Sequence, residues 1–508
     1  MKSAGKQVAS TAIFMALVTL VSKALGLVRD MLLASTFGTT NDAVAYEVAS
    51  RLPITLFDFA LGGVVTAAFI PIFNELMVKS GKKRAFEFAN RYFNLILCTT
   101  LVISVLGMFL SSPLVSVLAP DIDDTAIKTL AASLSRVMFP MIIFTGVAYC
   151  FVGVLQSFEK YTLPAIMSLV SNMVMVLYFV ALSDKFGVWG LSVALVIGWF
   201  LQAAIQAPAA YKLGFSFKPT FKFNDPDIVR AIKMAFPILV CSWLQPVCNV
   251  INTSFASGFE GGSAINMVGY ANRLYIIIVG VFSFVATNLL FPKLSRAEAG
   301  GDREGAKKFA GTSIKILLYI MIPLSVGIFL LAEPVTRAIY MRGVFSEHDA
   351  AMTASVLKFF AIGIPFMSAN EVLTKLFFAM QKVKEPMFSS ALAILFNLGL
   401  VSLLVKTVGL DGVAIASSLT VALCALLNYI FLCKGGALLK VKDFLDIAKS
   451  AIAAVIMGVC VYLIKGIFPV SNDIIITVAL GGAGIVVYAV CILILSPTEI
   501  RSLIRRGK

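Results

Sequence analysis

Several charged side chains stand inside long apolar stretches of this sequence, where a charge is costly unless it has a partner or a ligand. Three arginines are prominent among them, Arg29, Arg51 and Arg273, and Lys23 and Asp30 flank the first one. A guanidinium group presents a planar fork of N–H donors that matches the oxygens of a phosphate. The set therefore predicts a binding site for an anionic group, and a diphosphate would suit it.

The composition indicates that these charges lie in a membrane protein. Of 508 residues, 59% are hydrophobic and 14% are charged, and the mean hydropathy is +0.94. A soluble domain is about a quarter charged. The net charge of +15 would suit either nucleic acid or an anionic membrane surface. Because the cations fall in short loops between apolar runs, we expect membrane lipids and no nucleic acid as partners.

Fourteen runs of the sequence are long and apolar enough to cross a bilayer, which requires roughly 20 residues per helix. They cover residues 9–34, 43–73, 88–111, 131–156, 163–183, 188–211, 234–256, 265–291, 311–332, 351–380, 387–405, 412–433, 447–465 and 475–496. The predicted fold class is an all-α, polytopic membrane protein with 14 transmembrane helices. Two runs are overlong and broken by Pro or Gly, which is typical of backbone that faces a cavity.

The loop charges predict the orientation. Lysine and arginine are concentrated in alternate loops, such as those containing Lys82 and Lys307, whereas Asp123 and Glu260 lie in the loops between. Loops rich in lysine and arginine face the cytoplasm. We therefore expect a multi-pass protein of the bacterial inner membrane with both termini in the cytoplasm.

The two halves of the sequence resemble each other. Arg51 in ASRLP corresponds to Arg273 in ANRLY, 222 residues later, and Gly187 corresponds to Gly409 at the same spacing. The repeat predicts two pseudo-symmetric six-helix lobes of equal topology, with substrate bound between them. The predicted domains are residues 1–215 (helices 1–6), 216–438 (helices 7–12) and 439–508 (helices 13–14). Equivalent arginines in the two lobes could hold one anionic group from both sides.

Several motifs carry a family resemblance. The segments SKALGLVRD (22–30), YANRL (270–274) and YMRGVF (340–345) resemble the MurJ flippases of the MOP exporter superfamily. The resemblance runs over most of the chain. It implies a two-lobed carrier that moves lipid II, the undecaprenyl-diphosphate-linked peptidoglycan precursor, to the outer leaflet during cell-wall synthesis. It also implies that helices 13–14 form a groove for the lipid tail.

The resemblance assigns substrate binding to particular residues. Arg29 and Asp30 match the family's Arg-Asp pair in helix 1, and Lys23 stands where the family usually has arginine. Arg273 matches the arginine of helix 8, with Asn272 beside it in place of the usual aspartate. Arg51 joins this predicted site by its position in the repeat.

Helix 2 departs from the family pattern. Phe57 and Asp58 stand where the family commonly has two arginines. The departure leaves a second interpretation open, a flippase for another polyprenyl-linked glycan. A MATE-like cation or drug antiporter is a further alternative, which needs a buried carboxylate such as Asp58 or Glu371.

Other classes of activity lack a motif in this sequence. Enzyme chemistry would call for a carboxylate–metal cluster or a soluble catalytic domain, and the loops are too short for such a domain. Segments 234–258 and 387–404 contain no Asp or Glu, so no sodium or other metal site is predicted there. We expect no cofactor, no catalytic residues and a functional monomer, with the membrane potential as one source of driving force.

Overall fold

The structure is a computed structural model, and it describes residues 2–61, 64–280, 303–434, 436, 438–467 and 472–495. These residues form twenty α-helices and one short 3-10 helix, and no β-strand occurs among them. The prediction of an all-α fold is therefore confirmed. Most connections between the described helices are short, and each helix satisfies its own backbone hydrogen bonds, as a membrane-spanning segment must.

The helices fall into two compact units, Met1–Asn266 and Met267–Lys508. The first twelve helices are α1 Lys2–Phe37, α2 Asn41–Ala60, α3 Val64–Lys79, α4 Gly81–Phe109, α5 Ser111–Leu118, α6 Thr125–Met138, α7 Met141–Ser157, α8 Thr162–Ala181, α9 Ser183–Ala204, α10 Ala207–Leu213, α11 Pro226–Ser242 and α12 Leu244–Ala256. The 3-10 helix Glu260–Gly262 follows them. Within the first unit α1 packs against α8, and α2 packs against α6 and α12.

The remaining helices are described as α13 Ala264–Gly280, α14 Arg303–Tyr340, α15 Glu347–Ile362, α16 Ile364–Ala379, α17 Lys384–Val408, α18 Asp411–Cys433, α19 Val441–Ile467 and α20 Asp473–Leu495. Helix α14 packs against α15, α16, α19 and α20. Its partners therefore include both of the helices that the sequence places outside the repeat.

Among the described residues, nine helices are long and apolar enough to cross a membrane, and two bent pairs raise that number to eleven. The bent pairs are α11 with α12, at 43°, and α15 with α16, at 47°. Within the part of the chain that is described, the predicted run 43–73 consists of two helices, α2 and α3. The count of fourteen stays a prediction.

Unusual backbone conformations recur at the spacing of the predicted repeat. Gly187 has φ 51° and ψ −145°, and Gly409 has φ 66° and ψ −142°. Gly38 and Glu260, also 222 residues apart, both have positive φ, at 53° and 51°. A positive φ is rare for residues other than glycine. These matching positive-φ positions therefore support the predicted repeat.

The compact units follow packing, whereas the predicted domains follow the repeat. Helices α11 and α12, which the repeat assigns to residues 216–438, cluster with the first unit. Helix α11 packs on α3, and α12 packs on α2 and α5. The repeat-based domain division stays a prediction.

Candidate anion-binding site

Arg29 lies near the C-terminal end of α1, where two other side chains fix its guanidinium group. Its Nε and Nη2 donate to Asp30 Oδ1 at 3.0 and 2.7 Å. Its Nη1 donates to Asn172 Oδ1 of α8 at 3.0 Å. The Asp30 carboxylate is buried, at 3% exposure, whereas the Arg29 side chain is 31% exposed. The structure thus joins two of the predicted site residues, Arg29 and Asp30, in one ion pair.

A seam of polar contacts holds α1 against α8 at this point. Asn172 Nδ2 donates to the Ser22 carbonyl oxygen at 3.1 Å, and the Ser22 and Ser168 hydroxyl oxygens are 2.6 Å apart. At Gly26 an added Cβ would lie 3.3 Å from Asn172 Nδ2. Glycine at this position therefore allows the close approach that brings Asn172 within reach of Arg29.

Arg51 lies on α2 and is held in a similar way. Its Nε and Nη2 donate to Glu47 Oε1 at 3.0 and 2.9 Å. Its Nη1 makes a short hydrogen bond to the Thr253 hydroxyl of α12. Glu47 is 4% exposed. The i, i+4 spacing of Glu47 and Arg51 is the sequence signal for this pair, whereas the contact with Thr253 depends on the packing of α12 on α2.

The two arginines share one pattern of contacts. In each case a carboxylate accepts from Nε and Nη2, and a neutral side chain accepts from Nη1. A guanidinium group has five N–H donors, so two remain on each arginine beyond these three contacts. Both groups are thus held in a fixed orientation and can still donate to the oxygens of an anion.

The other two predicted cations, Lys23 and Arg273, lie on α1 and α13. Lys23 is partly buried on α1, in the same helix as Arg29. Arg273 lies on α13, in the second compact unit, and its guanidinium group stands 5.4 Å from the centre of the Tyr270 ring. That ring is buried against Tyr340 and Phe345. A cation over an aromatic face is electrostatically stabilised.

The second unit contains an apolar cavity of about 470 Å³ between α14, α19 and α20. Its lining includes Pro323, Gly327, Gly481, Gly484 and Tyr488. Three of these are glycines, and at Gly327 and Gly481 an added Cβ would meet no atom within 4 Å, which leaves room for a guest beside the helix backbones. The sequence placed helices 13 and 14 outside the repeat, and in the structure their counterparts α19 and α20 form two of the three walls.

A buried ion-pair cluster next to this region was not predicted. Lys315 of α14 is 8% exposed, and its Nζ lies 2.6 Å from Asp446 Oδ2 and 3.1 Å from Asp443 Oδ1 of α19. Asp446 is 1% exposed. A lysine inside an apolar run is a sequence signal for such a pair, but its partners lie more than a hundred residues away along the chain. The cluster joins α14 to α19.

Comparison with solved structures defines the class of protein. The fold matches that of a structure described as lipid II flippase MurJ in an inward closed conformation, with a TM-score of 0.81 and 24% identity over 97% of this chain and all of that one. It also matches an inward-facing MATE-family multidrug transporter of the MOP superfamily, with a TM-score of 0.65 and 15% identity over 86% of this chain and 98% of that one. The protein therefore has the fold that these two structures share.

Sequence comparison then identifies the family. The family model described as "Lipid II flippase MurJ" matches residues 33–480, and the chain belongs to the MurJ family. A probable lipid II flippase MurJ of Rickettsia prowazekii is 28% identical over 89% of each chain. One from Thermotoga maritima is 27% identical over 96% of this chain and 97% of that protein. The resemblance inferred from the sequence motifs is thereby confirmed.

Proposed function

We propose that the protein is a lipid II flippase that moves the undecaprenyl-diphosphate-linked precursor of peptidoglycan from the inner to the outer leaflet of the bacterial cytoplasmic membrane. The match to the MurJ family model over residues 33–480 carries this proposal. The fold supports it, because the superfamily consists of transporters that move substrates by alternating access. The MATE-family structures share the fold at 15% identity or less, which supports the fold and no particular substrate.

In this proposal Lys23, Arg29, Asp30, Arg51 and Arg273 bind the diphosphate head group. Arg29 and Arg51 donate their remaining N–H groups to phosphate oxygens, and their acidic partners hold each guanidinium in place before the substrate arrives. A donor group that is already oriented loses less side-chain entropy on binding. Lys23 contributes positive charge from α1, and Arg273 contributes it from α13 in the second unit.

The lipid tail occupies the apolar cavity between α14, α19 and α20 in this proposal. A cavity of about 470 Å³ accommodates only part of an undecaprenyl chain, and the rest remains in the bilayer. Burial of each CH₂ group contributes about 0.8 kcal/mol when it leaves water, but the tail comes from lipid. The cavity therefore serves to position the tail and contributes little to affinity.

The membrane potential is the proposed driving force for the anionic head group. Moving one charge through 100 mV is worth about 2.3 kcal/mol, and an inside-negative potential pushes an anion outward.

We also propose an orientation with both termini in the cytoplasm, in which Lys82 and Lys307 face inside, and Asp123 and Glu260 face outside. Cysteine substitutions at these four positions test this orientation, since an impermeant reagent should label 123 and 260 in intact cells and spare 82 and 307.

Complementation is the direct test of the proposed function. The chain is expressed in cells from which the native lipid II flippase is depleted, and growth and outward lipid II are measured. Restored growth with lipid II in the outer leaflet is expected. If the chain is well expressed and restores neither, but supports export of another polyprenyl-linked glycan, then that glycan and not lipid II is the substrate.

We propose that the working unit is a monomer. When inactive and active copies are expressed together, transport should then be proportional to the amount of the active copy alone.

A further inference from the structure

A small cavity in the first compact unit lies between α2, α7 and α9, apart from the arginines described above. Its volume is about 60 Å³, which is room for one or two water molecules, since each occupies about 30 Å³ in the liquid. Its polar lining consists of Asp58 of α2, Thr145 and Tyr149 of α7, and Trp199 of α9. Phe57 packs against the same wall, with its ring stacked on Tyr149 at 5.9 Å.

Asp58 is a partly buried acid, and no ion-pair partner for it occurs among the described residues. The other charges of α2 are engaged with each other or lie at its start, since Glu47 pairs with Arg51 and Asp42 is in the first turn. The charged residues on the other helices that pack against α2 are Lys82, Lys83, Arg84, Glu87, Arg91, Lys128, Arg136, Asp184, Lys185, Asp227, Arg230 and Lys233. None of them lines the cavity, and Tyr149 is the only other titratable group among the described residues that does so.

An ionised Asp58 is costly at this position. The residue lies near the middle of the predicted transmembrane run 43–73, where a charge costs about 2.5–3.5 kcal/mol on insertion scales. Residues 62–67, which follow in the chain, include no charged side chain that could pair with it. The free-energy cost of this negative charge is removed when a cation neutralises the Asp58 carboxylate, and the smallest such cation is a proton.

The cavity favours a proton over a metal ion. Hard metal cations are held by shells of about six oxygen ligands. The side-chain oxygens around this cavity are those of Asp58, Thr145 and Tyr149, and two of these three groups are neutral hydroxyls. A proton needs one carboxylate oxygen. The Thr145 hydroxyl donates to the Met141 carbonyl oxygen at 2.8 Å and can accept a hydrogen bond from the carboxyl group, whereas the Tyr149 hydroxyl can donate one to the carboxylate. The site thus suits both protonation states of Asp58.

We propose that Asp58 is a proton-binding site that takes up and releases one proton during the transport cycle. This inference goes beyond the proposed function, because it concerns a second transported or coupled species and not the lipid. The proton binds to a carboxylate oxygen, and water in the small cavity is its immediate donor and acceptor.

Trp199 offers a spectroscopic test that needs no lipid substrate. The chain has three tryptophans, and substitution of Trp189 and Trp243 by phenylalanine leaves Trp199 as the sole reporter beside Asp58. The purified full-length variant, in nanodiscs, is titrated with pH while its emission is recorded. We expect a sigmoidal shift of the emission maximum with pH. The shift should be lost in Asp58→Asn and kept in Tyr149→Phe, which separates the carboxyl group from the phenol.

The controls distinguish this inference from its alternatives. Infrared difference spectra between low and high pH should show a protonated carboxyl band that Asp58→Asn removes, which tests the same proton without any tryptophan substitution. An emission shift that persists in Asp58→Asn, or the absence of both signals from the parent protein, overturns the proposal. A shift produced by sodium at constant pH, and not by pH, would assign the site to a metal cation and likewise overturn it. Failure here leaves the complementation result unaffected, because no lipid takes part.

Discussion

The Arg29 pair and the Lys315 cluster are both acid–base contacts within apolar helices, but they differ in exposure. The Arg29 side chain is 31% exposed and its acid 4%, whereas the Lys315 side chain is 10% exposed and Asp446 is 2%. A buried pair has no face left for a ligand, and it joins two helices. A half-exposed arginine whose acid is buried keeps a face for a ligand. The comparison teaches that exposure of the cation, and not the presence of a partner, separates a candidate binding group from a structural one.

The comparison predicts the largest effect on transport at Arg29. Arg29→Ala should abolish outward movement of lipid II, because charge-assisted hydrogen bonds worth about 1.5–3 kcal/mol each are lost. Outward lipid II is measured in cells depleted of the native flippase, with protein level checked by blot. The double variant Arg29→Gln, Asp30→Asn removes both charges and leaves no buried carboxylate without a partner. It should insert normally and remain inactive, whereas recovery of transport would show that Arg29 has a structural role only.

A smaller loss is expected when Arg273 is replaced by lysine. Arg273→Lys keeps the charge but loses the planar fork of donors, so transport should fall about tenfold, as expected for a loss near 1.4 kcal/mol. Arg273→Ala should be inactive. The matched control is Tyr270→Phe, which keeps the ring beneath the guanidinium group and should retain most activity. Equal activity of Arg273→Ala and the parent protein would remove this residue from the proposed site.

The apolar cavity offers a comparison between adjacent glycines. Gly481 lines the cavity, whereas its neighbour Gly482 does not. At both positions an added Cβ would meet no atom within 4 Å. Gly481→Leu should fill part of the cavity and reduce transport severalfold without loss of protein. Gly482→Leu should transport normally. Equal rates in the two variants would contradict a role of the cavity in positioning the tail.

Lys315 should affect stability more than transport. Lys315→Met removes the buried cation beside Asp446, which keeps only the more distant Lys449 Nζ at 3.7 Å. Removal of one partner from a buried pair destabilises a protein by about 3–5 kcal/mol. The unfolding temperature in detergent should fall clearly, while transport per folded molecule changes little. Adding Asp446→Leu should recover much of the loss, because an apolar pair can replace a buried ion pair. Loss of transport in a stable double variant would contradict the structural role.

The smallest effect is expected at an exposed pair. Arg230 and Lys79 lower the pKa of Glu75 from 4.5 to about 2. A lowered pKa means that any contribution to stability is present above the ordinary pKa of 4.5 and is lost as the pH falls toward 2. Glu75→Gln should therefore change the unfolding temperature by the same small amount at pH 7 and pH 6. Solvent screens exposed pairs, which keeps the effect small. A clear difference between the two pH values would contradict the lowered pKa of Glu75, because only a carboxyl group that titrates near neutral pH would produce it.

Much of the architecture could be predicted from the sequence. Hydropathy is a sum over neighbouring residues, so the apolar runs at 188–211 and 412–433 predict helices that the structure places at α9 and α18. The break of the run 351–380 into α15 and α16 follows from the local Gly-Ile-Pro sequence at 363–365, since proline removes a backbone donor. The motifs that indicated the family are likewise contiguous, and they needed no knowledge of packing.

The sequence by itself determined that this is a helical membrane protein of a flippase family, and it located the cations that stand in apolar surroundings. Only the tertiary structure decided what those cations touch. Asn172 lies 143 residues from Arg29, and Thr253 lies 202 residues from Arg51, so no local pattern links them. The physical reason is that the cost of a charge in an apolar segment depends on its own position, whereas the partner that offsets this cost is supplied by whichever helix packs against it.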